Sequence, residues 1–112
     1  MFIFLLVCLA LIAVTALMVQ RGMRVFLKPR RRPYRQTPTG LGLASEDVSF
    51  VARDGVCLAA WFLSPRQAGT GAAVLLFHGL GSNRSDMLLQ ASSLVQAGYY
   101  VLLTEFRNHG QS

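Results

Sequence analysis

The chain has 112 residues, which allows one small domain, and its formal net charge is +6. Seven of its eleven basic residues lie between Arg21 and Arg35, whereas the part after Gly40 holds four arginines against five acidic residues. The basic residues therefore form one local patch, which argues against a nucleic-acid-binding domain. Cys8 and Cys57 show neither a CxxC pattern nor metal-ligand spacing, so we expect two unpaired thiols and no metal site.

The first part of the chain is apolar and predicts a membrane anchor over residues 1–20. Residues 2–19 carry no charge, and as a helix they would span about 27 Å, close to the roughly 30 Å hydrocarbon core of a bilayer. A cleaved signal peptide is the alternative, with a cleavage site at Val14-Thr15-Ala16, but no positive residue precedes the apolar run. We therefore predict an uncleaved anchor with the lipid bilayer as its partner. Because the basic residues follow it, the positive-inside rule predicts a single-pass protein whose C-terminal part is cytoplasmic.

Residues 21–45 are predicted to form a basic juxtamembrane segment and a linker. The run Arg30–Arg35 could bind anionic lipid headgroups, with each basic residue contributing about 1 kcal/mol, or it could act only as a topology signal and solvated linker. Pro38, Gly40 and Gly42 then favour a tether that separates the anchor from the domain.

The domain is predicted over residues 46–112, and it begins with short strands. Alternating side chains around residues 48–52 predict one strand, and residues 56–63 predict a second. Asp54-Gly55 between them favours a hairpin, because both residue types tolerate positive φ. Trp61 is expected to pack on the sheet, and a polar loop follows.

Residues 74–84 read VLLFHGLGSNR and predict a strand, a glycine turn and a helix. Four bulky apolar residues in a row indicate a strand buried on both faces, while Asn83 and its neighbour Ser82 are N-cap types for a helix over roughly 84–97. An apolar strand over 99–106 follows, which predicts a right-handed βαβ crossover with parallel strands. Such a junction aims backbone N–H groups at one point, which suits an anion or a developing oxyanion.

Two common glycine motifs do not fit this stretch. A dinucleotide fingerprint needs a glycine where Arg84 stands, and a phosphate loop needs Gly-Lys-Ser/Thr, whereas the only lysine is Lys28. His78-Gly79-Leu80-Gly81 followed by Asn83-Arg84 instead resembles the oxyanion-hole turn of the α/β-hydrolase superfamily.

The resemblance covers residues 47–112. It also includes the Asp54-Gly55 hairpin, the Ala97-Gly98-Tyr99 helix end and the loop 107–112, and it is closest to serine-aminopeptidase-like or lysophospholipase-like hydrolases. It implies the N-terminal part of an α/β-hydrolase fold, a β-hairpin followed by β-α-β with parallel strands, preceded here by one transmembrane helix. The family's last loop usually reads Asp-x-Arg-Gly-x-Gly-x-Ser, so Glu105 replaces the aspartate and Asn108 the first glycine.

The resemblance implies that the backbone N–H of Leu80 is an oxyanion-hole donor. It also implies that four residues support the turn, namely His78, Gly79, Gly81 and Arg84. His78 is expected to shape the turn rather than act as the catalytic base, and His109 is expected to be a loop residue. Arg84 is expected to order the loop or pair with a carboxylate, with a substrate contact as the alternative.

No complete Gly-x-Ser-x-Gly is present, so the nucleophile and triad are expected outside these residues. We expect the N-terminal part of a larger serine hydrolase of ester, thioester or amide bonds, not competent by itself, with a small-molecule acyl substrate and no cofactor. The alternative is a non-catalytic membrane-anchored protein whose open sheet edge binds a partner, because the family's strand order 1-2-4-3 leaves the third strand at an edge.

Overall fold

The computed structural model describes residues 1–67, 69 and 71–112, which form one long helix followed by a small α/β domain. The elements in chain order are α1 Phe2–Leu27, β1 Ala44–Val51, β2 Cys57–Ser64, β3 Ala73–Phe77, α2 Leu88–Gln96 and β4 Tyr100–Thr104. Two 3₁₀ turns lie at Thr39–Leu41 and Arg84–Met87. The predicted polar loop 65–71 contains Ala68 and Thr70, which lie outside the described residues.

Helix α1 is long and apolar enough to cross a membrane, with a mean hydropathy of 3.1 in its most apolar stretch. None of its residues is buried against the domain. The Thr15 hydroxyl donates to the Leu11 carbonyl at 2.7 Å, so the hydrogen-bond donor of this polar side chain is paired within the helix. The helix continues to Leu27, beyond the predicted end of the anchor at residue 20, and so includes the first basic residues.

The four strands form one mixed sheet in the order β1-β2-β4-β3. β1 pairs antiparallel with β2, and β2 pairs antiparallel with β4. β3 pairs parallel with β4, with Leu76 opposite Leu103. The predicted α/β class, with a hairpin followed by a parallel β-α-β unit, is confirmed.

The hairpin between β1 and β2 turns at the predicted Asp54-Gly55 pair. The Gly55 N–H donates to the Ala52 carbonyl at 2.9 Å, and the Ala52 N–H donates to the Val56 carbonyl at 2.8 Å. Gly55 has a φ of 83°, whereas Asp54 stays at negative φ, so the turn has a three-residue loop with one left-handed position. Positive φ was expected at both Asp54 and Gly55, but only Gly55 needs it.

Helix α2 covers one face of the sheet and builds the core there. The buried apolar residues shared by the helix and the sheet are Trp61, Leu63, Leu88, Ala91, Val95, Val101 and Leu103. The predicted stripe on the helix includes Ala91 and Val95 but not Leu88, whose side chain is fully buried. Trp61 lies in this core, as expected.

The opposite face of the sheet is apolar and open. Leu75 and Phe77 of β3 are 53% and 50% exposed, because α2 packs on the face that carries Leu76. The expectation that β3 is buried on both faces is therefore wrong for the described residues. Side chains alternate along a strand, so one helix can cover only every second residue.

Candidate active-site turn

The turn after β3 occupies Gly79 to Ser82 at the carboxyl end of the parallel strand pair. The Ser82 N–H donates to the Gly79 carbonyl at 3.2 Å, and Gly81 has a φ of 71°. Positive φ at the third residue is the requirement of a type II turn and explains glycine at position 81. Leu80 occupies the second position, at the tip, and is 66% exposed.

Two buried histidines hold this turn. The backbone N–H of Phe106 donates to His78 Nε2 at 3.1 Å, and His78 Nδ1 lies 2.8 Å from the Gly79 carbonyl. Since a backbone N–H can only donate, Nε2 is unprotonated, and the proton on Nδ1 donates to the carbonyl. Both ring nitrogens of His78 therefore serve the backbone.

His109 makes the matching connection from the loop after β4. Its Nε2 accepts from the Gly81 N–H at 3.2 Å, and its Nδ1 lies 2.9 Å from the Arg107 carbonyl, which fixes the same tautomer. The His78 and His109 rings lie 4.9 Å apart. The pair joins the turn after β3 to the loop after β4, and neither ring has a nitrogen left for proton transfer.

The Leu80 N–H lies at the tip of the turn. Within the part of the chain that the structure describes, this N–H has no hydrogen-bond partner, whereas the Gly81 N–H is held by His109. A free donor at an exposed turn tip is able to bind an oxyanion.

Asn83 begins the helical segment that follows the turn. Its side-chain oxygen accepts from the Ser85 N–H at 3.0 Å, which is an N-cap interaction. The helix starts as a 3₁₀ turn and continues as α2 from Leu88, so the predicted helix over 84–97 is confirmed with an irregular first turn.

Arg84 is buried and lies inside the domain rather than at the turn tip. Its guanidinium carbon sits 4.0 Å from the centre of the Trp61 ring, and Nη2 donates to Gln111 Oε1 at 2.9 Å. Its Nε lies 3.8 Å from the Glu105 carboxylate, and both side chains are buried. The structure therefore places Arg84 in an ion pair that connects the 3₁₀ turn before α2 to the loop after β4.

Tyr34, in the segment before the domain, completes this cluster. Its hydroxyl donates to Glu105 Oε2 at 2.9 Å and accepts from Arg84 Nε at 3.1 Å, and its ring packs against Trp61. Burial and the hydrogen bond to Glu105 raise the pKa of Tyr34 to about 12. Sequence reasoning placed this residue in a linker; the one available signal was an aromatic side chain in an otherwise basic and polar stretch.

The hairpin loop also contacts the loop after β4. The Arg107 guanidinium donates to the Asp54 carboxylate and lowers the pKa of that carboxyl below its ordinary value. Both side chains are about half exposed, so this pair adds little to stability but places the hairpin at the same edge of the sheet as the turn.

A cleft of about 440 Å³ lies near this region but not at the turn. It is lined by residues that include Tyr34, Asp47, Trp61, Arg84 and Gln111, and by neither His78 nor Leu80. Within residues 1–67, 69 and 71–112, no group of three or more His, Cys, Asp or Glu side chains could hold a metal ion.

No family model matches the chain, and no curated protein matches it. Among solved structures, the chain is similar to the Pyrococcus furiosus esterase Pf2001. In one crystal form the TM-score is 0.64 with 29% identity over 75% of this chain and 32% of the esterase chain. Two further crystal forms give a TM-score of 0.61 and 28% identity. A probable hydrolytic enzyme of Pseudomonas aeruginosa is more distant, with a TM-score of 0.43 and 22% identity over 69% of this chain.

The chain thus spans about a third of the length of the esterase that it resembles. The shared part includes a mixed sheet with both parallel and antiparallel strands, as in esterase folds. Residues 44–112 therefore have an α/β-hydrolase-like fold.

Proposed function

We propose that this chain supplies the anchor and the oxyanion turn of a membrane-anchored serine hydrolase that acts on ester, thioester or amide bonds. The observation that carries the proposal is the free N–H of Leu80, at the tip of a rigid turn after a parallel strand. The likeness to an esterase supports the reaction class.

In the proposed reaction, a serine hydroxyl adds to the substrate carbonyl, and negative charge develops on the carbonyl oxygen. The Leu80 N–H donates to that oxygen, and a donor of this kind typically contributes about 10²–10³ in rate. His78 and His109 keep the turn fixed, so little reorganisation is needed when the charge develops. The serine, its histidine and its acid lie outside these residues in the proposed enzyme.

The test is to express the native reading frame through and past codon 112 and to treat the membrane fraction with a fluorophosphonate probe. We expect a labelled product, with labelling lost when the serine of its Gly-x-Ser-x-Gly turn is changed to alanine. A reading frame that ends after Ser112, with no labelled product, would refute the enzyme proposal for this polypeptide.

A second candidate is a non-catalytic anchored protein that binds a partner strand. It is favoured by β3, which lies at the sheet edge and exposes Leu75 and Phe77. The same experiment separates the two functions, because this candidate requires the 112-residue product to be the stable form in the membrane and to stay unlabelled.

A further inference from the structure

The end of the membrane-anchor helix is bound to the edge of the domain that carries the oxyanion turn. The Asn108 side chain donates to the Leu27 carbonyl, the last residue of α1, at 3.0 Å. Four residues later along each segment, Arg31 Nη2 donates to the Ser112 carbonyl at 2.8 Å. Asn83, beside the turn, donates from its side chain to the Arg32 carbonyl at 3.0 Å.

These contacts lie at one end of the sheet, where strands β3 and β4 have their carboxyl ends. We call this end of the sheet the oxyanion edge. The turn after β3 and the loop after β4 are at the carboxyl ends of two parallel strands, and the β1–β2 hairpin is at the same edge through Arg107 and Asp54. The end of α2 at Gln96 lies at the opposite edge, where it lines a cleft with Ala44 and Ser64. Helix α1 therefore leaves the domain from the oxyanion edge.

The length of chain between the apolar core of α1 and the domain is short. Val19 is the last residue of the apolar run, and the eight residues from there to Leu27 rise about 12 Å as a helix. The headgroup layer outside a hydrocarbon core of about 30 Å is roughly 5–8 Å thick on each side. The oxyanion edge is thus held next to the membrane surface.

Asn108 occupies a backbone position that most side chains disfavour. Its φ is 62°, a left-handed conformation that asparagine tolerates better than most other side chains. The backbone thus keeps the shape that glycine would allow, while the added amide reaches the Leu27 carbonyl.

Charge and polarity at this edge fit a bilayer surface. The basic residues that surround the end of α1 are Arg21, Arg24, Lys28, Arg30, Arg31, Arg32 and Arg35. Basic residues at such positions are attracted to anionic headgroups. Leu80, at the tip of the turn, adds an apolar side chain that is 66% exposed at the same edge.

We infer that the oxyanion turn faces the bilayer and that the substrate is an acyl lipid drawn from that bilayer rather than a soluble ester. The substrate part of the inference rests on the proposed hydrolase activity, whereas the placement of the turn rests only on the proposed membrane anchor.

The placement is tested with the full chain in vesicles of neutral and anionic phospholipid, some of which carry a nitroxide at the headgroup. In a Cys8→Ala, Cys57→Ser background, an environment-sensitive dye is attached to Leu80→Cys or, as the control at the far edge, to Gln96→Cys. We expect the nitroxide lipid to remove most of the emission at position 80 and little at position 96. Equal quenching at both positions, or stronger quenching at 96, overturns the inference.

A second pair of dye positions is Arg53→Cys in the hairpin and Gln67→Cys at the far edge. It provides the same comparison if the Leu80→Cys variant does not fold. Unchanged Trp61 emission shows for each variant that the core is intact, because this side chain lies inside it. Stronger quenching at position 53 than at 67 supports the placement, and the reverse contradicts it.

The substrate is tested with the form of the protein that the fluorophosphonate probe labels. We expect a higher kcat/KM for a long-chain acyl ester embedded in vesicles than for a soluble short-chain ester. A preference for the soluble ester, in a protein that labels, refutes the lipid substrate and leaves the hydrolase intact. Absence of any labelled product, with position 80 still quenched, refutes the hydrolase and leaves the placement intact.

Discussion

Glu105 is the residue on which the loops at the oxyanion edge depend. Its carboxylate accepts from the Gln111 N–H at 2.7 Å and from the Tyr34 hydroxyl at 2.9 Å, and it faces the Arg84 guanidinium. A buried carboxylate is tolerated only when it is paired and hydrogen-bonded in this way. Because its partners come from three separate segments, this one side chain fixes their relative positions.

Gly110 leaves the space that the Glu105 carboxylate occupies. A Cβ at this position would collide with the carboxylate, and its φ of 45° is also unfavourable for other residues. We expect Gly110→Ala to lower the free energy of unfolding by about 1–3 kcal/mol. The measurement is urea unfolding in detergent micelles, followed by Trp61 emission.

Gly79→Ala is the matched control for Gly110→Ala, because a Cβ at Gly79 meets nothing within 4 Å and its φ is not positive. It should change the free energy of unfolding far less. If the two variants unfold alike, the collision at Gly110 is relieved by movement of Glu105.

Tyr34 makes the attachment of the segment before β1 sensitive to high pH. Its pKa is raised to about 12 from an ordinary 10.0, so the folded chain holds the phenol proton more tightly than the unfolded chain does. The resulting stability is complete below pH 10 and is lost as the pH rises towards 12.

We therefore expect the unfolding free energy of the native chain to fall more steeply between pH 10 and 12 than that of Tyr34→Phe. Urea unfolding at several pH values checks this, and Tyr99→Phe serves as the control because it removes a phenol that is not part of the cluster of Tyr34, Glu105 and Arg84. Parallel curves for the native chain and Tyr34→Phe would show that the Tyr34 proton is not linked to folding.

At the scale of elements, the turn after β3 combines a rigid backbone with a free donor at its tip, the Leu80 N–H. Leu80 occupies the second position of a type II turn, and proline is well accommodated at that position. Proline lacks the N–H, so Leu80→Pro removes the proposed donor while it keeps the turn.

In the form of the protein that the fluorophosphonate probe labels, we expect Leu80→Pro to lower kcat for ester hydrolysis by about 10²–10³. Leu80→Ala keeps the N–H and should retain kcat, which separates the donor from the side chain. Equal thermal unfolding midpoints for both variants show that the fold is unchanged. Full activity in the proline variant would exclude this N–H as the oxyanion donor.

Local patterns were sufficient to predict the elements but not their burial. The Asp54-Gly55 turn, the Asn83 cap and the strand order follow from residue types and from the likeness to hydrolases. The open side of β3 could not be predicted, because an apolar strand reads the same whether one face or both are covered. Tyr34 was missed because its partners, Glu105 and Arg84, are at least fifty residues away in sequence.

At the scale of the whole molecule, charge and apolar surface are separated along one long axis. The molecule extends over 78 Å along this axis but only 27 and 21 Å across it. The apolar helix occupies one end, the basic residues follow it, and the domain lies at the other end. For the proposed anchored protein, the side of the membrane that the domain occupies is a measurable property.

Cys57 offers a native reporter for that side, because it is an exposed thiol on the domain. In a Cys8→Ala background, we expect a membrane-impermeant maleimide to label Cys57 only after spheroplasts of a bacterial host are lysed. The physical reason is the positive-inside rule, since the basic residues follow the apolar run and no basic side chain precedes it. A permeant maleimide should label the same thiol in intact spheroplasts, which controls for its reactivity.

The converse experiment reverses the charges that flank the apolar run. Two lysines are inserted after Met1, and six basic residues are changed to glutamine, namely Arg21, Arg24, Lys28, Arg30, Arg31 and Arg32. This variant reverses the charge difference across the apolar run, so we expect Cys57 to become accessible in intact spheroplasts. Labelling of the native chain before lysis would place the domain outside the cytoplasm and refute the cytoplasmic location. The quenching of a dye at position 80 by headgroup nitroxides does not depend on the side of the membrane that the domain occupies. That measurement therefore tests independently whether the turn faces the bilayer.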